Sequence, residues 1–329
     1  MQAFGGAGVL GRPRTGERTA VPMLRTRILV SAAAAAAATL ALASCGSSTL
    51  EGESSSSAAT SSEVIATPAV DDALAAKLPA KIKSAGVVTI GTDATYAPNE
   101  FLGTDGKTVE GMDVDLFNAV MAKFGVKTQW TPAGFGTIIL GVTGGKFDAG
   151  VSSFTINADR MKQVTMVSYF NAGILWVTKS GNPDKIDPDN ACGLSIGVQK
   201  DTVEVDDLNA RSAKCTAAGK AAIKQVVEQD QSKVNADLAS GKVVAMLADS
   251  PVALYAVKQS SGQFEPLGEV YEAAPYGFVL PKAETEFGQA MADALKALKA
   301  DGTYTKILEK WGIQDGAITD FAVNPPAAG

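Results

Sequence analysis

Apolar residues recur at helical spacing through residues 112–124, where Val114, Leu116, Phe117, Val120, Met121 and Phe124 mark one face and Gly125 supplies a stop. Helical stretches are also predicted at 71–83 and 138–142, with apolar runs of strand length at 87–91, 126–130 and 148–151. The alternation then starts afresh. Residues 194–198 and 223–227 read as strands, 203–210 and 232–239 as helices, and 243–248 as an apolar strand running into a helix near Pro251. Strands alternating with helices predict mainly parallel sheets covered on both faces. Two further strands, 173–178 and 276–280, flank the second series, and helices at 284–300 and 304–311 close the chain. A chain that leaves one lobe, builds a second and returns gives two lobes joined by two strands, which permits bending about a hinge. The expected architecture is therefore two-lobed α/β, with lobe 1 at 71–177 and 276–320, lobe 2 at 178–275, and a tail at 321–329. No internal repeat is strong enough to use.

Composition narrows the function. The 329 residues, 46% of them hydrophobic, supply cores for two such lobes. The formal net charge is -6 with Lys and Arg dispersed, which sets nucleic acid aside, because phosphate binding needs a concentrated basic surface. Histidine is absent. Ser-His-Asp hydrolysis, His-dependent metal sites and imidazole base chemistry are thereby excluded, and neither a metal nor a cofactor is expected.

Ahead of the lobes, Arg25 and Arg27 precede an apolar stretch of about 15 residues, 28–42, the size of a signal h-region and short for a membrane span. It ends in Leu42-Ala43-Ser44-Cys45, which resembles the lipobox of bacterial lipoproteins. That resemblance implies a signal peptide over 1–44, a lipid on the Cys45 sulfur and anchorage in the bilayer at the outer face of the cytoplasmic membrane. A cleaved signal with an incidental cysteine is the alternative, and Met23 is a second candidate for the translation start. Residues 45–70, rich in Ser, Ala and Thr, have the composition of a flexible tether. With Cys45 lipidated, Cys192 and Cys215 remain, and outside the cytosol two such thiols are expected to bridge rather than stay as buried thiols.

Ligands of open parallel sheets bind beyond the carboxyl ends of the strands. Four loops occupy such places. In the first, 152–160, Asn157 is placed to cap a helix whose first turn carries Arg160, a cation opposing the helix dipole unless an anion lies between. A carboxylate fits that guanidinium bidentately, with Ser and Thr hydroxyls completing its bonds; the alternative is a surface Arg paired with Asp159. In the second, Asp249 follows an apolar strand and precedes Ser250-Pro251, which suits helix capping or the pairing of a ligand ammonium. In the third, Asp93 to Pro98, Tyr96 is either a packing aromatic or the cover of a ligand's aliphatic part, and Phe135 either starts a helix or forms the opposite wall. In the fourth, Asp201 and Glu204 have capping-box spacing, and the same N–H groups with Thr202 are placed to touch a ligand from the second lobe.

Taken together, Gly91 to Pro98, Gly111 to Leu116, Gly145 to Asp148, Thr155 with Arg160, Ile196 to Lys200, Ala248 to Pro251 and Lys299 to Tyr304 resemble the polar amino-acid solute-binding proteins of ABC importers, which have the type II periplasmic-binding-protein fold. The resemblance spans about 78–312 and lies in the order and spacing of these pieces. It implies a free amino acid as ligand, with Arg160, Ser153 and Thr155 on its carboxylate and Asp249 on its ammonium. It further implies Tyr96 and Phe135 as walls, Asp93 near the side-chain end, and Thr202 contributing after the lobes close. An ABC permease is the implied membrane partner of a monomeric, non-catalytic receptor. Val203 departs from a common hydroxyl, Glu204 from a common Gln and Asn99 from a common Phe, which leaves the ligand's side chain open. Two other classes stand beside this one. One is a dehydratase of the same fold using Asp93 and Glu204 as acid or base, and the other is a sensory module.

Overall fold

The computed structural model describes residues 65–327. The expected signal peptide, the Cys45 anchor and the tether as far as residue 64 lie outside them. The stretch 71–83, expected as one helix, forms two short ones, α1 (Asp72–Ala75) and α2 (Ala80–Ala85). Pro79 accounts for the break, because its ring restricts the preceding residue and removes an N–H donor.

The first lobe follows the expected alternation. Strand β1 (Val87–Thr92) leads to a small antiparallel sheet of β2 (Thr95–Tyr96), β3 (Glu100–Leu102) and β4 (Val109–Glu110). Helix α3 (Met112–Lys123), β5 (Lys127–Pro132), α4 (Phe135–Thr143), β6 (Ala149–Gly150) and α5 (Ala158–Gln163) follow. The chain then enters β7 (Val164–Lys179) and builds the second lobe. That lobe comprises β8 (Ser195–Gln199), α6 (Val203–Ala217), β9 (Lys224–Glu228), α7 (Gln231–Ser240), β10 (Ala245–Asp249) and α8 (Ser250–Gln259). Strand β11 (Phe264–Pro281) returns to the first lobe, where α9 (Thr285–Ala300) and α10 (Thr303–Trp311) pack.

One continuous sheet runs through both lobes in the order β5-β1-β6-β11-β7-β10-β8-β9. Its two ends are parallel, and its middle is the antiparallel pair of β7 and β11. The two long strands cross between lobes where Ala172 faces Ala274 and Asn171 faces Pro275, and their register shifts on both sides of that point. Bulges there bend the ladder at the crossing. β7 joins the second lobe's sheet from Ile174 onward, where it pairs with β10.

Each lobe carries a core on both faces of its sheet, as period-2 patterning requires. Along β7, Leu175 and Val177 enter one second-lobe core while Ile174 and Trp176 enter the other. In the first lobe, Phe117, Phe278, Leu295 and Ile307 share the larger core, and Ile138, Phe147, Phe154 and Val279 the smaller. Phe321 is buried in the larger core and Val323 bridges Val167, so the first residues of the expected tail pack against lobe 1. Cys192 and Cys215 form a disulfide, which ties the end of α6 to the start of the second lobe's sheet.

Candidate functional site

The four loops converge. A narrow crevice lies between the lobes, lined by Asp93, Tyr96, Phe135, Ser153, Thr155, Arg160, Thr202 and Asp249, the eight residues singled out from sequence, together with Ser152, Gln199, Val203 and Glu204. Asp93 follows β1, the two serines follow β6, Gln199 ends β8 and Asp249 ends β10. These are the carboxyl ends of strands in the parallel parts of the sheet, where backbone N–H groups and helix starts face the crevice.

On the first-lobe side, Arg160 sits in the opening turn of α5. Asn157 caps that helix, its Oδ1 accepting from the Arg160 N–H at 2.9 Å. The guanidinium donates to the Thr155 carbonyl at 2.7 Å and rests over the stacked rings of Phe135 and Phe154, 5.3 and 5.4 Å from their centroids. Its partner is therefore not Asp159, which pairs with Lys162. Phe135 has two roles by geometry: it begins α4, and its ring supports the guanidinium plane. Asp93 accepts from Thr95 Oγ1 at 2.7 Å, from Gln199 Nε2 at 2.6 Å and from the Phe135 N–H at 3.2 Å. Burial still raises its pKa above the ordinary range, since none of these donors carries a charge.

On the second-lobe side, Asp249 occupies the N-cap position of α8 but its side chain makes no cap hydrogen bond. It accepts instead from the Tyr96 hydroxyl of the first lobe at 2.8 Å. The capping-box expectation at Asp201 is corrected. Thr202 is the N-cap of α6, and Asp201 precedes it at φ 65°, outside the extended conformation typical of a side-chain N-cap. That turn presents the Asp201 carbonyl to Arg160 Nη2 at 3.2 Å. Glu204, in the first turn of α6, is 2% exposed, and its Oε1 has no hydrogen-bond partner among the described residues.

The lobes meet through these groups. Tyr96 packs among the second lobe's core residues, Gln199 reaches Asp93, and the Gln231 N–H donates to Thr95 Oγ1 at 3.2 Å. A Cβ on Gly136 would stand 1.8 Å from Asp201 Oδ2, so only glycine allows this approach as it stands. Electrostatically, one guanidinium faces three carboxyl groups. Burial pushes Glu204 up to about 8 and Asp249 up to about 6; their mutual repulsion adds to the Glu204 shift, and Arg160 opposes both. Burial lowers Arg160 from its ordinary value, against the pull of Asp249 and Glu204, and a guanidinium stays charged throughout.

Such a site offers a cation in one lobe and two carboxyl groups, Asp249 and Glu204, in the other, an arrangement suited to a dipolar solute. Comparison with known proteins agrees with it. Residues 88–314 match the model of the bacterial extracellular solute-binding proteins, family 3. The chain belongs to this family. ArgT of Corynebacterium glutamicum, an arginine-binding protein, is 34% identical over 250 residues, which are 76% of this chain and 82% of ArgT. A solved ancestral arginine-binding protein bound to arginine is 34% identical with a TM-score of 0.64, covering 69% of this chain and 98% of that one. A solved ancestral amino acid-binding protein, described as a precursor of cyclohexadienyl dehydratase, is 31% identical with a TM-score of 0.64, covering 70% and 97%. Among the described residues of this family-3 chain, no helix is long and apolar enough to cross a membrane.

Four lining residues, Ser152, Gln199, Val203 and Glu204, were not among the eight singled out from sequence. Ser152 and Gln199 are buried polar groups at strand ends, a signal visible only once the strand termini are fixed. Glu204 was open between cap and cavity, and the one-residue shift of the N-cap turns it inward.

Proposed function

We propose that this chain is the amino-acid receptor of an ABC importer and that its ligand is a cationic amino acid of the arginine type. The observation that carries the reading is the placement of Arg160 and Asp249 on opposite lobes around one cavity. The α-carboxylate pairs with Arg160, helped by Thr155, while Ser153, whose N–H and hydroxyl both face Asp113, forms the wall beside it. The α-ammonium pairs with Asp249. Asp93 and Glu204 then remain, and a second positive charge on the ligand is what that surplus recognises, in keeping with the printed names of ArgT and the ancestral arginine-binding protein. Tyr96 and Phe135 wall the aliphatic stretch between the charges, and Thr202 contributes from the second lobe.

The ligand meets the first lobe first, because Arg160 is held there by contacts within that lobe. Closure about Asn171–Ala172 and Ala274–Pro275 then adds Asp249 and Glu204, so the ligand shifts the population toward the closed form that a permease reads. Charge-assisted hydrogen bonds contribute roughly 1.5–3 kcal/mol each, and several reach the roughly 8 kcal/mol of micromolar binding. A lipid on Cys45 and the tether to about residue 70 keep the receptor at the outer membrane face, working as a monomer.

Turnover is the second reading, favoured by one observation: Glu204, raised to about 8, is a buried acid in the cavity like those of dehydratases. Recovery of the bound amino acid unaltered after prolonged incubation distinguishes capture from catalysis. The receptor reading is tested by a thermal-shift screen of the amino acids. L-arginine, L-lysine and L-ornithine should raise Tm most, by mass action on the native state. A larger shift with glutamate or aspartate, or none with any amino acid, contradicts it.

A further inference from the structure

Directly behind the serines of the first-lobe wall lie two carboxyl groups that the binding scheme does not use. Glu100 of β3 and Asp113 of α3 are both 0% exposed. Gly111 brings them together: at φ 143° it lets α3 start against the Asn99 carbonyl, which a Cβ there would approach to 2.0 Å. The groups around the two acids are hydroxyls, one amide and a backbone N–H, with no Lys or Arg among them.

The hydrogens available around Ser153 decide the charge state. Ser152 Oγ accepts from the Asp93 N–H at 2.9 Å, so its one hydrogen goes to Glu100 Oε1 at 3.0 Å. Ser153 Oγ accepts from Asn99 Nδ2 at 2.9 Å and faces Glu100 Oε2 at 3.1 Å and Asp113 Oδ2 at 3.3 Å. A hydroxyl has one hydrogen and serves only one of those two oxygens. The other contact is attractive only if a carboxyl group brings its own proton. Asp113 Oδ2 has the surroundings of an anion: the Tyr169 hydroxyl at 2.7 Å, the Ser153 N–H at 2.8 Å and a place in the first turn of a 12-residue helix. Glu100 has none of these.

We propose that Glu100 is a positioning residue that carries a proton at neutral pH, donating through Oε2 to the Ser153 hydroxyl, whose own hydrogen then goes to Asp113 Oδ2, while Glu100 Oε1 accepts from Ser152. A neutral Glu100 links β3, α3 and the loop after β6 into one fixed unit, and holds Ser153 at φ 49°, outside the usual range of a non-glycine residue. The titratable groups facing the pair are all acids: Asp93 after β1, Tyr169 on β7 and, more distantly, Asp249 at the end of β10. Burial and the adjacent Asp113 push Glu100 well above the carboxylate range, in the same sense as the hydrogen count.

This inference uses the proposed ligand loop to say what Glu100 serves, but its main test does not involve a ligand. Glu100 ionises in the unfolded chain near its ordinary value of 4.5 and stays protonated in the native state. Unfolding therefore releases a proton, and native stability falls as pH rises above that value. Glu100→Gln keeps the donor and acceptor but removes the titration. The ratio of the wild-type to the Glu100→Gln unfolding constant, from urea unfolding at a series of pH values, should rise about tenfold per pH unit between about 5 and 8. A ratio that does not change with pH overturns the proposal. So does a Glu100→Gln chain that fails to fold, because the neutral isostere makes every hydrogen bond the protonated acid makes. In a second measurement, L-arginine affinity at pH 7 should stay within about threefold in Glu100→Gln and fall at least about tenfold in Glu100→Leu, which frees both serines. Equal loss in the two variants contradicts the assigned proton, whereas no binding of L-arginine by the wild type counts against the ligand reading alone.

Discussion

On the first-lobe wall of the cavity, Ser152, Ser153 and Arg160 are held by partners from their own lobe before any contact with the second. On the second-lobe wall, Asp249 finds its hydroxyl partner across the crevice in Tyr96, and Glu204 Oε1 finds none among the described residues. The difference teaches how a hinged receptor divides its work. One wall is preorganised, so little ordering is lost when the solute first lands. The other carries buried carboxyl groups whose interactions are completed only on closure, so solute binding and lobe closure favour one another.

Removing the fixed cation should break this scheme most severely. Arg160→Ala is expected to weaken L-arginine binding more than 100-fold, about 3 kcal/mol, by calorimetric titration, while thermal stability changes little because the guanidinium is half-buried at the cavity edge. Retained affinity would show that the first wall does not anchor the solute. The second wall is braced from behind by the disulfide, since α6 carries Glu204 at its start and Cys215 near its end. Replacing both Cys192 and Cys215 by Ser should cost about 2 to 3 kcal/mol of stability in denaturant unfolding and leave affinity within a few-fold. A large loss of affinity would mean that the brace sets the binding geometry as well.

Titration sharpens the comparison further. Glu204, raised from 4.5 to about 8, binds a proton in the native state that the unfolded chain has lost, so it lowers stability progressively as pH rises from about 4.5 to 8. A cationic ligand favours the ionised form, and binding below pH 8 releases that proton. L-arginine affinity should therefore rise between pH 6 and 8, by at most about tenfold per unit, and become nearly flat in Glu204→Gln. An unchanged slope in the variant assigns the proton elsewhere. Gly136→Ala, which sets a methyl group against the Asp201 carboxylate, should cost only about three- to tenfold in affinity, because that side chain can turn aside at modest strain.

Most elements were legible from patterning alone, since α3, β1, β8 and β10 each bury one clear face or run. The small β2-β3-β4 sheet was not, because two- and three-residue strands carry no periodicity. The length of β7 was hidden for another reason: it is buried on both faces, so it shows no alternation, and Thr165, Ser168 and Asn171 interrupt its apolar residues. At the site, Arg160 stood out because a cation conflicts with the first turn of a helix, whereas Asp249 reads locally as a helix cap and its ligand role came only from the family resemblance. Gln199 and Glu100 did not, since what makes them informative is a partner far away in sequence, Asp93 for one and Ser153 for the other.

The most direct measurement is a crystal structure grown with L-arginine. The account predicts its carboxylate within hydrogen-bond distance of the Arg160 guanidinium, its α-ammonium on Asp249 and its side-chain cation among Asp93 and Glu204. A ligand bound in the reverse orientation, or away from the crevice between the lobes, would contradict it.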